Sequence, residues 1–136
     1  MTDLEKRLRE RLATGPPLVL DGATGTELER LGVPSELPRW SARAVIEFPE
    51  AVLGIHRAYA AAGAQALTAN TFRTQRRTLE KAGLRDRAGE LTSRAVALAR
   101  EAASESGSLV LGSAPPLEDC FHPERVPDDA TLAREH

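Results

Sequence analysis

Short apolar runs alternate with longer stretches of helical periodicity along the chain. Leu18-Val19-Leu20 runs straight into Asp21-Gly22, Ala66-Leu67-Thr68-Ala69 into Asn70-Thr71, and Leu109-Val110-Leu111 into Gly112-Ser113. A brief continuous apolar run closed by glycine or a polar turn predicts a buried strand. Between these runs the apolar period is that of a helix. The spacing predicts a helix over 2–13, with Leu4, Leu8 and Leu12 on one stripe and Thr2 and Glu5 at the separation of a capping box. Gly15-Pro16-Pro17 ends it. A short helical stretch over 27–31 stops at Gly32-Val33-Pro34, and 35–39 reads as a loop leading to Trp40-Ser41. Pro49 falls near the first position of the next helix, where Val52, His56, Tyr59 and Gly63 share one side. Helical sequence returns over 75–82 and again over 86–104, where Ala88, Leu91, Ala95, Leu98, Ala99 and Ala102 recur at helical spacing. Residues 117–129 are aperiodic and read as a loop, and a last helical pattern begins at 130.

Apolar strands separated by helices predict right-handed crossovers and a parallel sheet, hence an α/β fold. In such sheets ligands bind at the carboxyl ends of the strands. Asp21, Asn70 and Ser113 sit just past those ends. The expected strand order is that of the sequence, with these side chains converging at one end.

Length and composition narrow the class. The 136 residues suffice for one domain with a core, and no internal boundary is visible. Charge is balanced at 18 basic and 20 acidic residues, without a basic stripe, which argues against nucleic acid. A single cysteine, Cys120, excludes an internal disulfide framework and fits a reducing compartment. Residues 1–14 are charged and lack the apolar segment of a leader, and no apolar run is long enough to cross a bilayer. The expectation is a cytoplasmic protein with no membrane partner.

Taken together, Leu20-Asp21-Gly22-Ala23-Thr24-Gly25-Thr26-Glu27-Leu28, Trp40-Ser41, His56-Arg57-Ala58-Tyr59-Ala60-Ala61-Ala62-Gly63-Ala64, Thr68-Ala69-Asn70-Thr71-Phe72 and Gly112-Ser113-Ala114-Pro115-Pro116 resemble the homocysteine S-methyltransferase family in order and spacing. The resemblance implies a (β/α)8 TIM barrel, which typically needs about 250 residues. On that reading residues 1–136 are the N-terminal portion of a homocysteine-binding domain, the first three strand–helix units of a parallel barrel. It also implies methyl transfer to the homocysteine thiol, giving methionine, with zinc held by three cysteine thiolates. Those cysteines belong to a Gly-x-Asn-Cys-like motif and to an adjacent pair after glycines, neither of which occurs here. Cys120 matches none of the ligand motifs. The methyl donor is left open among S-methylmethionine, S-adenosylmethionine, a betaine and a folate.

The resemblance places Asp21 and Gly22 at the amino and carboxylate groups of homocysteine. A carboxylate accepts hydrogen bonds from an ammonium, and glycine lets backbone N–H approach a carboxylate closely. A turn aspartate bonding its own loop is the alternative. Asn70, Thr71 and Phe72 are expected to line the pocket, as are Trp40 and Ser113, each with a structural role as the competing reading. Gly22-Ala23-Thr24-Gly25-Thr26 lacks the spacing and lysine of a phosphate loop. His56 reads as a hydrogen-bonded core residue, and Cys120-Phe121-His122 offers too few ligands for a metal site. The expected partners are homocysteine and a methyl donor, with self-association or a complementing C-terminal fragment to cover the open sheet. Two other readings stand beside this one: a split or non-catalytic fragment, and a zinc-independent small-molecule binding module.

Overall fold

The structure is a computed structural model. It describes residues 1–34, 40–118 and 120–135, with the side chains of residues 3, 4, 7 and 40 outside the described set. Helix α1 spans Asp3–Thr14 and is capped by Thr2, whose hydroxyl accepts from the Glu5 N–H at 3.2 Å. Then come α2 (Thr24–Arg30), α3 (Trp40–Glu47) and α4 (Pro49–Ala61), with Pro49 in the first turn of α4. Strand β1 (Ala66–Thr68) leads to α5 (Arg76–Glu80) and α6 (Ala88–Ser106), and β2 (Leu109–Leu111) precedes α7 (Asp129–Glu135). Single 3-10 turns at Arg85–Arg87 and Pro123–Arg125 complete the order.

Strands β1 and β2 pair in parallel, with Ala66 opposite Leu109 and Thr68 opposite Leu111. The chain around Leu20 lies on the other side of β1 and also runs parallel to it. The expected strand over 18–20 is nevertheless reduced to one bridge, Leu20 to Ala66. Side chains replace the backbone partners at both of its ends. The Val19 N–H goes to Oε1 of Gln65 at 3.2 Å, and the Thr68 N–H goes to the Asp21 carboxylate at 2.7 Å. The Asp21 N–H and the Val19 carbonyl hold what remains of the ladder.

Helices cover one side of this sheet. Leu53 of α4, Leu67 of β1 and Ala102 of α6 meet in one cluster, while Leu28, Ala44, Val52 and Ile55 knit α2, α3 and α4. The alanine-rich stripe of α6 is buried as its spacing predicts, and α6 ends at Gly107, whose φ of 74° is the left-handed conformation that glycine adopts without a Cβ penalty. Arg57 ties α4 to Glu101 and Glu105 of α6. The other side of the sheet is open at the first segment: Leu20, in register with Ala66 and Leu109 on the face away from the helices, is 54% exposed.

The structure revises several expectations. Helix α3 occupies 40–47, beyond the dipeptide Trp40-Ser41 to which the sequence leads. Helix α5 is shorter than the 75–82 pattern. The loop assigned to 35–39 lies outside the described residues. No helix among the described residues is long and apolar enough to cross a membrane.

Candidate functional site

Asp21, Asn70 and Ser113 follow the carboxyl ends of three adjacent parallel segments, and all three reach one cavity of about 360 Å3. Gly22 and Phe72 also line it. Thr71 does not. It is buried, and its hydroxyl donates to the Ser113 carbonyl at 2.8 Å and accepts from the Ser113 N–H at 2.9 Å. It therefore clamps the turn after β1 to the turn after β2. The expected place of Trp40 in the wall falls on a side chain outside the described residues.

The Asp21 carboxylate is oriented by the neighbouring strand. Oδ2 accepts the Thr68 N–H at 2.7 Å and Oδ1 accepts the Thr68 hydroxyl at 2.8 Å. An ionised carboxylate offers about four acceptor positions, of which Thr68 takes two among the described residues. Asn70 is 5% exposed, and its Nδ2 donates to the Ser41 carbonyl at 2.9 Å, which fixes the start of α3 against the cavity. Asn70 is thus partly a structural residue.

Gly22 has a local reason for lacking a side chain. A Cβ there would sit 2.7 Å from the Tyr59 hydroxyl oxygen, which is itself held by donation to the Ala23 carbonyl at 3.0 Å. Tyr59 on α4 thereby supports the whole 21–23 turn from below. Its hydroxyl is held above the ordinary 10.0, first by desolvation and then by the nearby Glu27 and Asp21 charges.

His56 lies one turn before Tyr59 on α4. It is fully buried, as expected of a core residue, but neither ring nitrogen has a hydrogen-bond partner among the described residues. Burial pushes its pKa below the ordinary 6.5, and the Asp21 charge partly opposes that shift.

Three wall residues lie outside the set that the sequence pattern marks for the pocket. Thr68 is simply the polar end of an apolar run, and its pairing with Asp21 spans 47 positions. Arg73 and Cys120 lie in segments without periodicity, yet both border the cavity. Cys120 is exposed, and no group of three or more His, Cys, Asp or Glu side chains among the described residues could hold a metal ion.

A parallel α/β unit with its cavity at the carboxyl ends of the strands defines a broad class of ligand-binding folds. Similarity narrows it. The sequence model of the homocysteine S-methyltransferase family matches residues 18–136. The homocysteine S-methyltransferase YbgG of Bacillus subtilis is 37% identical over 99 residues, covering 72% of this chain and 31% of that protein. Betaine–homocysteine S-methyltransferase 1 of Xenopus tropicalis is 35% identical over 115 residues, covering 82% of this chain and 28% of the relative. The crystal structure of the homocysteine methyltransferase MmuM from Escherichia coli in its metallated form superposes with a TM-score of 0.72 at 34% identity, over 80% of this chain and 41% of that one. The chain belongs to the homocysteine S-methyltransferase family. It spans less than a third of the length of these two curated relatives.

Proposed function

We propose that this chain forms the first strand–helix units of a (β/α)8 barrel and supplies the amino-acid-binding part of a homocysteine S-methyltransferase. The reaction served is methyl transfer to the homocysteine thiol, giving methionine. The observation that carries this reading is the convergence of Asp21, Gly22, Asn70, Phe72 and Ser113 on one cavity. Asp21, held by Thr68, accepts hydrogen bonds from the substrate ammonium. Phe72 gives the cavity an apolar surface suited to the methylene chain. Asn70 and the Thr71–Ser113 clamp keep the wall in place before the ligand arrives.

The zinc that the family resemblance implies does not fit the residues described here. A zinc site takes three or four ligands, and the chain has one cysteine, exposed at the rim of the cavity. No step in thiolate formation is therefore assigned to these side chains. The chain is expected to bind homocysteine without turning it over when alone, and to pair its open sheet with a second copy or with a complementing C-terminal fragment. A reducing, cytoplasmic setting suits its single free thiol.

Calorimetric titration of the purified chain with L-homocysteine, alongside a methionine-formation assay, tests the reading. Saturable binding that Asp21→Asn weakens by about tenfold or more, with no turnover, supports it. Binding indifferent to Asp21, or turnover by the chain alone, would overturn it.

A further inference from the structure

The turn after β2 is held by the segment after β1, side chain to backbone. The Thr71 hydroxyl donates to the Ser113 carbonyl at 2.8 Å and accepts the Ser113 N–H at 2.9 Å, so one side chain satisfies both backbone groups of Ser113. Thr71 is itself braced. Its carbonyl accepts the Thr74 N–H at 3.1 Å and the Thr74 hydroxyl at 3.0 Å, and the Thr74 oxygen lies 2.7 Å from the Thr92 hydroxyl of α6. Because Thr74 gives its hydroxyl proton to Thr71, Thr92 is the donor in that last pair. A line of hydroxyls thus runs from the long helix to the edge of the cavity. Further along the same turn, Nε2 of Gln75 donates to the Pro116 carbonyl at 3.0 Å. The ladder runs up to this clamp, with the Ala69 N–H on the Leu111 carbonyl at 2.8 Å.

All of this fixes the Ser113 backbone and leaves its side chain unused. Ser113 lines the cavity, and its hydroxyl has no partner among the described residues. A serine hydroxyl both donates and accepts, and a polar group contributes most to a site when its backbone is held before the ligand comes. We propose that the Ser113 hydroxyl hydrogen-bonds the amino acid bound in this cavity, and that Thr71 is the positioning residue that sets it there. The inference deepens the homocysteine reading and rests on it for the identity of the ligand. It gives Thr71 a part in binding without any contact with the ligand.

The test is calorimetry on the full chain with L-homocysteine and its carboxylate-free analogue 3-aminopropane-1-thiol. Ser113→Ala should weaken homocysteine binding by about fivefold, the scale of one hydrogen bond. Thr71→Val should weaken it to a similar degree, and Thr71→Ser, which keeps the hydroxyl, should bind within about twofold of wild type. The double variant Thr71→Val/Ser113→Ala should bind no more weakly than Ser113→Ala, because a residue acting through another has nothing further to lose. Urea unfolding separates this from a purely structural role: Thr71→Val should lower the midpoint by the same amount with Ser113 or Ala at 113, while its effect on binding disappears. A Ser113→Ala loss seen with homocysteine alone assigns the contact to the carboxylate, and an equal loss with both probes assigns it to the amine or thiol end. Wild-type affinity in Ser113→Ala, or additive losses in the double variant, would overturn the inference and leave the homocysteine reading standing. Failure of wild type to bind homocysteine would overturn both.

Discussion

Thr68 grips the Asp21 carboxylate twice, through its backbone N–H at 2.7 Å and its hydroxyl at 2.8 Å. One contact does two jobs. It ends the pairing of the first segment with β1, because the acid side chain takes the place of a backbone carbonyl. It also presents the carboxylate to the cavity in a fixed orientation. A charge-assisted hydrogen bond is shorter and stronger than a neutral one, so the acid is held firmly before any ligand arrives.

Thr68→Val keeps the shape of the side chain and removes the hydroxyl. Stability should fall by about 1–2 kcal/mol, measured by urea unfolding, because a hydrogen bond to a charged group is lost while the backbone N–H contact remains. Homocysteine affinity should fall several-fold in the same variant. An unchanged affinity would show that the orientation of Asp21 does not matter to the ligand.

Gly22→Ala drives a methyl group into the Tyr59 hydroxyl. The expected cost is about 1–3 kcal/mol, the range for overpacking. Tyr59→Ala removes the hydroxyl and the ring carbons that a Cβ would meet at 2.7, 2.9 and 3.0 Å, and should restore part of the loss in the double variant. A double-mutant cycle reads this directly, and a coupling near zero would mean that Gly22 is needed for another reason.

The strand-ending positions were legible because each follows a short apolar run, which is how Asp21, Asn70 and Ser113 stand out from sequence alone. The long helix was legible from its alanine stripe. Helix α3 was not, because the residues before it read as a loop and nothing in 42–47 announced a cap. The shortening of the first strand was also invisible. It depends on Gln65 and Asp21 offering side chains where carbonyls were expected, and both contacts cross more than forty positions. Thr71 reads as a pocket residue by its place in the chain, yet its hydroxyl faces the Ser113 backbone. Local pattern reports where a side chain sits along the chain, not which neighbour it meets.

The open sheet face should make the chain associate. Leu20, on the face away from the helices, is more than half exposed, and a parallel sheet is ordinarily covered on both faces. Light scattering should show apparent mass rising with concentration, and Leu20→Lys should shift the chain toward monomer. A strictly monomeric wild type at tens of micromolar (~) would show that this face is tolerated in water.

His56 makes stability depend on pH. Its folded-state pKa lies below the ordinary 6.5, so the unfolded chain binds the extra proton more readily. This contribution is fully present above 6.5 and is lost as pH falls from there toward the depressed folded value. Urea midpoints should therefore decline on acidification through that window, and His56→Phe should flatten the decline relative to wild type. A slope identical in both proteins would mean that His56 does not titrate on unfolding.

The most direct test of the binding account is residue-resolved NMR of the labelled chain during titration with L-homocysteine. Amide shifts should concentrate at Gly22, Thr68, Asn70 and Ser113, around the cavity at the carboxyl ends of the strands. Shifts centred instead on Gly54 and Ala58, in the separate groove between α2 and α4, or no shifts at saturating ligand, would contradict it.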